Sequence, residues 1–154
     1  MNHPLIETFS TGGQKLRQAI ASLSHDELLA VPIPGKWSTQ QVVIHLADAE
    51  AAFADRIRRV IASDNPALLA WSENDFAKHL HYTEQSAEDA VTVIDLTRRQ
   101  LAIVLRLLPN ETLKRTGQHS ERGQQTLEDI LNFAVNHLDH HLKFIAEKRA
   151  KLGK

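Results

Sequence analysis

The chain contains no cysteine, which excludes disulfide staples, thiolate zinc sites and cysteine nucleophiles, and leaves a reducing compartment compatible with the composition. Long apolar runs are missing too. Nothing approaches the roughly 18 unbroken apolar residues of a membrane-spanning helix, and the start MNHPLIETFS lacks a basic stretch followed by an apolar one. The expectation is a soluble cytoplasmic protein that does not engage membranes. Neither sign of charge dominates, since Lys+Arg 18 against Asp+Glu 19 gives a formal charge of -1. Nothing in that balance draws the chain to a polyanion, so nucleic acid is not an expected partner. The clearest basic run, Lys148, Arg149, Lys151 and Lys154, suits a helix C-terminus, where cations complement the macrodipole. What is plentiful is histidine, with 9 residues, a side chain that titrates near neutrality and is the commonest metal ligand.

A length of 154 residues suits one domain, residues 1–154, because a single core grows to about 250 residues before a chain splits. Punctuation is sparse and separates four segments whose apolar residues recur every three or four positions, the period of a buried helix face. The first runs from about His3 to Leu23, with Leu5, Phe9, Leu16, Ile20 and Leu23 inward. Gly12 and Gly13 lie near that face, where glycine costs helix stability, so close approach of a neighbouring backbone is expected there. Ser24 and Glu27 have capping-box spacing, and so do Ser38 and Gln41, which open the second helix. That helix presents Val42, His45, Leu46, Ala49, Phe53, Ile57 and Val60 and ends near Asn65-Pro66. A third follows Ser86 and stops before Pro109, and a fourth opens at Thr126-Leu127-Glu128-Asp129. Residues 66–85 form a long connection with room for a short helix, Asn110 to Gln125 reads as a polar loop, and no strand pattern competes. The predicted fold is all-α: a four-helix bundle with a long crossover connection between helices two and three.

His137 and His141 are four apart on the fourth helix, so they stack on one face with Cβ atoms about 6 Å apart. They share the stripe of Ala134, Leu138 and Ile145, and His45 sits in the matching stripe of the second helix. Facing helices lie about 8–10 Å apart, which allows the three rings to converge. A buried imidazole needs partners for its ring nitrogens, and one divalent ion serves all three. Three protein ligands leave a position for water or substrate, the layout of a reactive site. His140 competes with His141 by rotation but lies nearer the stripe's edge. There is no HExxH, and no glutamate precedes a histidine by three, which leaves a mononuclear site. Gln41 and Asp48, one turn either side of His45, are candidate outer partners of its ring. Trp37 either staples the chain before the helix cap or lines the site mouth.

Two separated motifs then identify a family resemblance. Gly35-Lys36-Trp37-Ser38 leading to His45-Leu46-Ala47-Asp48 is similar to the opening segment of the DinB-like, or YfiT-like, superfamily. Residues 117–123, GQHSERG, with Asn136-His137-Leu138-Asp139-His140-His141-Leu142, resemble its closing segment. The resemblance spans essentially the whole chain. It implies a four-helix bundle, frequently a homodimer, that binds nickel or zinc through His45, His137 and His141. It carries no implication of DNA binding. Some relatives use a low-molecular-weight thiol as cosubstrate, so the leading expectation is a metal-dependent thiol S-transferase acting on a small-molecule substrate, with a metal-dependent hydrolase as its variant. The rival is a non-catalytic, metal-stabilised stress-response or ligand-binding bundle, which a fourth ligand from His140, Asp48 or the Trp71–Tyr82 stretch would favour. His119 falls on a recurrent family position, where a loop hydrogen bond is expected of it.

Overall fold

The computed structural model describes Met1 and residues 3–154. Four helical segments make the bundle: α1 (Pro4–Ser10) continuing into α2 (Gly12–Ile20), then α4 (Thr39–Ala62), α6 (Ala87–Leu107) and α7 (Leu127–Lys151). Two short helices lie in the connections, α3 (His25–Leu29) and α5 (Glu73–His79). The expected four-helix bundle is therefore the observed one. The α1–α2 segment and α4 each pack against both α6 and α7. The first two bundle segments thus stand diagonally opposite each other, and α6 and α7 occupy the other diagonal.

The long helices start where side chains satisfy their first amides. Ser38 Oγ accepts from Gln41 N at 3.1 Å while Gln41 Oε1 accepts from Ser38 N at 2.9 Å, and Thr126 with Asp129 forms the same reciprocal cap on α7. The second helix ends at Ala62, before the predicted Asn65-Pro66, and Asn65 takes a left-handed φ of 43°. The first predicted helix is also corrected, because it breaks at Thr11. Adjacent Gly12 and Gly13 weaken the ladder there, and packing requires them. A Cβ on Gly12 would lie 2.8 Å from Leu138 Cδ2, and one on Gly13 would lie 2.9 Å from the Asp95 backbone nitrogen.

The absence of strands predicted from sequence does not hold. β1 (Ala67–Leu68) pairs in parallel with β2 (Thr116–His119), which pairs antiparallel with β3 (Gly123–Thr126). A 3-10 helix, Asn110–Lys114, precedes β2, so the predicted polar loop is a 3-10 turn and a hairpin. These strands are two to four residues long and mostly polar, so no apolar alternation announces them. Their effect is positional: the sheet clips the connection after α4 to the hairpin before α7.

Within the bundle, Arg98 on α6 donates through Nε to Glu50 Oε2 at 2.8 Å and through Nη2 to the Ala134 carbonyl at 3.1 Å, with Nη2 also 2.8 Å from Glu50 Oε2 in the ion pair. Both side chains are buried, so one ion pair ties α4, α6 and α7 together.

Candidate functional site

His45 is carried inward by the capped first turns of α4 and is 1% exposed. His137 and His141 face it from α7, and one ring nitrogen from each of the three lies within 4.8 Å of the others. The Nε2 atoms of His45 and His137 are 3.2 Å apart. Two nitrogens each bound at about 2.0–2.1 Å to one ion lie about 2.9–3.4 Å apart at octahedral to tetrahedral angles. The spacing therefore fits two ligands of a single cation. It also fits an N–H···N hydrogen bond between two neutral rings. Among the described residues, that contact is the one hydrogen bond any of the three rings makes, and Nδ1 of His45 and of His141 are buried without a partner.

The surroundings keep these rings neutral. His137 is pushed down to about 3, first by burial and then by repulsion from His141, His45, Arg98 and His140 if they carry charge. His141 is pushed down to about 4, again mainly by burial, with His45, His140 and Lys148 adding to it. Burial lowers His45 as well, against the opposing pull of Glu73 and Asp48. Neutral imidazoles are the form that binds metals. Aromatic rings complete the wall: Trp37 lies 5.2 Å and Trp71 5.7 Å from the His45 ring, and Phe133 stacks on His137 at 6.1 Å.

Other predicted residues divide. His140 is exposed, outside the convergent group, and edge-on to Phe144. Asp48 accepts a 2.5 Å hydrogen bond from the Tyr82 hydroxyl, and Gln41 is engaged in its cap. Trp37 both packs on the core and borders the site. His119 makes the loop hydrogen bonds expected of it, accepting at Nδ1 from the amides of Glu121 and Arg122. The basic run does not all lie in solvent as a helix-end cluster would: Lys148 is buried and borders the site's far side.

Two cavities reach the cluster. One, of about 250 Å³, is bordered by His45 and His137 together with Arg56, Glu73, Arg122 and Phe133. The second, of about 270 Å³, is bordered by His141, Trp37, Phe144 and Lys148. The nearest carboxylate is that of Glu73, 3.9 Å from His45 Nε2 and exposed on α5. Sequence reasoning missed Glu73, Arg56, Arg122 and Phe133. Arg56 and Phe133 carried a signal, Arg56 three residues after Phe53 and seven after Ala49, and Phe133 three after Ile130 and four before His137.

An all-helical bundle with inward histidines on two facing helices defines a class, and its family can be named. The chain belongs to the DinB superfamily, whose family model matches residues 8–145. A protein of Oceanobacillus iheyensis, named as a candidate metal-dependent hydrolase, is 25% identical over 130 residues, covering 84% of this chain and 75% of that one. YfiT of Bacillus subtilis, named in the same way, is 25% identical over 140 residues, covering 90% of this chain and 79% of its own. The solved structure of Bacillus subtilis YfiT, described as having an unusual four-helix bundle topology, matches with a TM-score of 0.89 at 24% identity, over 97% of this chain and 86% of that one. This likeness shows the fold.

Proposed function

We propose that His45, His137 and His141 hold one divalent cation, nickel or zinc, and that the protein is a metal-dependent enzyme acting on a small molecule. The observation that carries this reading is the convergence of three neutral, otherwise unpartnered imidazoles beside an open cavity. A closed structural site usually takes four protein ligands. Among the described residues the convergent group has three members, Asp48 is engaged by Tyr82, and His140 faces solvent. The names of the relatives agree with metal-dependent chemistry.

When bound, such a cation supplies positive charge that favours the anionic form of a water or thiol at neutral pH. The chain's own residues do the rest. The three rings orient the reacting end of the substrate, and Trp37, Trp71 and Phe133 keep bulk water from it. Glu73 Oε2 is placed to take a proton from a nucleophile arriving beside His45. Cavities that meet the cluster from His45/His137 and from His141 suit a reaction with two reactants, so S-transfer from a low-molecular-weight thiol to an electrophile is the leading activity. Hydrolysis is the second reading, favoured by the relatives' names and by Glu73 as the base for a single water.

Metal analysis of the purified protein is expected to give about one divalent ion per chain, and His45→Ala, His137→Ala and His141→Ala each to lose it. Retention after His45→Ala overturns the site. A panel of cellular thiols with a chromogenic electrophile, run beside chromogenic esters without thiol, separates the two activities. A homodimer is part of the same reading, supported by the exposed apolar stripe Val93, Leu96, Ile103 and Leu107 on α6. Sedimentation of Leu107→Glu against the parent chain tests it, and an unchanged monomeric mass for both rejects it.

A further inference from the structure

The cavity beside His45 and His137 carries cationic groups that the chain itself leaves uncompensated. Arg56 is 5% exposed, and its Nη2 donates to the Leu69 carbonyl at 2.6 Å. That bond leaves its Nε and Nη1 donors without a protein acceptor among the described residues. Arg122, from the hairpin tip, lies over Phe133 with its Cζ 4.2 Å from the ring centre, and among the described residues its guanidinium makes no hydrogen bond. Three other arginines are matched, Arg98 by Glu50, Arg106 by Glu7 and Arg115 by Asp64, while Arg58, without an ion pair among the described residues, lies in solvent. Among the described residues, neither Arg56 nor Arg122 forms an ion pair. Burial lowers Arg56, and the Arg122 charge lowers it further, while Asp55 and Glu121 act the other way.

A third donor borders the same cavity. Because Nδ1 of His119 accepts two backbone amides, the proton of its neutral ring belongs on Nε2. That Nε2 is buried with no partner, and the residue is 2% exposed on the same cavity wall. Burial and the two nearby arginines keep the ring neutral, so it donates without adding charge. A buried guanidinium without a counter-charge is uncommon, and a buried N–H without an acceptor is costly.

From this convergence we infer that Arg56, Arg122 and His119 form a subsite for an anionic group of the substrate, a carboxylate or a phosphate, whose reacting end then reaches His45 and His137. The inference rests on the metal-enzyme reading above and adds the substrate class to it. Guanidinium edges bind such oxyanions through paired N–H donors, and the His119 Nε2–H supplies a further one. Glu73 and Glu121 border the same cavity. Glu73 stands at the histidine end and Glu121 is exposed on the hairpin, so the arginine end is where an anion settles. Anchoring there also fixes which atom of a small molecule faces the histidines.

The test uses metal-free protein, dialysed clear of chelator, titrated at constant ionic strength with inorganic phosphate and separately with succinate. Binding is followed by calorimetry and by the ring nitrogen signals of His119. Saturable binding of one anion, with a shift at His119 Nε2, is expected. Arg122→Gln, on an exposed loop, is expected to weaken it at least tenfold while leaving the melting temperature in place. Arg56→Gln is expected to do the same if it folds. Arg58→Gln, on the exposed side of α4, keeps full affinity. The tighter of the two anions names the group. Saturation by neither, or unchanged affinity in Arg122→Gln, overturns the subsite. Because no metal is present, that failure leaves the metal reading standing, whereas loss of the ion-binding behaviour of the histidines removes the reading beneath it.

Discussion

Two groups of titratable side chains inside this bundle, the buried Arg98–Glu50 pair and the His45, His137 and His141 cluster, are built to opposite ends. The Arg98–Glu50 pair cancels its charge inside the chain and spends Nε on the carboxylate and Nη2 on the Ala134 carbonyl, though Arg98 Nη1 and Glu50 Oε1 stay without partners. The His45, His137 and His141 group has no charge to cancel, among the described residues makes no hydrogen bond outside itself, and opens on two cavities. The first arrangement binds helices to one another. The second leaves ring nitrogens unpaired beside the cavities, which is what the proposed cation would use. Burial of polar groups alone therefore does not mark function; the direction of their unused valences does.

The sharpest way to break this contrast is to cut each group in turn. Glu50→Ala leaves Arg98 charged and unpaired in the core, and removing one partner of a buried pair costs about 3–5 kcal/mol. Denaturant unfolding should show that loss with or without added metal. The histidine group should behave in reverse. Zinc or nickel at about 100 times its dissociation constant stabilises a folded chain that binds it by about 2.7 kcal/mol, a rise of roughly 5–10 °C for a chain of this size. His45→Ala is expected to abolish that metal-dependent rise while the metal-free chain loses about 1–2 kcal/mol. A metal-dependent rise that survives in His45→Ala would place the ion elsewhere.

How far these two groups were legible in the sequence differs for a physical reason. Helix periods and caps, local in the chain, disclosed the bundle, and the four-residue step from His137 to His141 disclosed a shared face. The Arg98–Glu50 pair lay in plain view on apolar stripes, Arg98 four residues after Ile94 and Glu50 three before Phe53. Charges are ordinarily solvated, however, and nothing local says that two will meet across helices. The strands stayed hidden because Thr116–His119 and Gly123–Thr126 have no apolar face to alternate. With them went Arg122 and the orientation of His119, which depend on the hairpin, and Glu73, which depends on how α5 settles over α4.

A smaller effect sharpens the contrast through protons. The folded values of about 3 for His137 and about 4 for His141 lie below that of an unfolded imidazole, about 6.5. Between those limits the unfolded chain binds more protons, so the stability tied to neutral rings is complete above about pH 6.5 and is lost as pH falls towards 4. Melting of the metal-free protein should therefore decline between pH 7 and pH 5, and His137→Gln combined with His141→Gln should flatten the decline. Equal slopes in the two proteins would mean that the rings are solvated and the group is not buried as described.

The smallest effect is expected next door. His140 precedes His141 by one residue, which turns it about 100° around the helix, and its ring meets Phe144 at 4.6 Å from the solvent side. His140→Ala should keep the ion and change stability by no more than about 0.5 kcal/mol, the usual range for surface substitutions. Loss of the metal in this variant, with retention in His141→Ala, would exchange the two ligands and rotate α7. Such a rotation would also withdraw His137 from the 3.2 Å contact with His45. The pair of variants therefore tests the register of the whole helix as well as the identity of one residue.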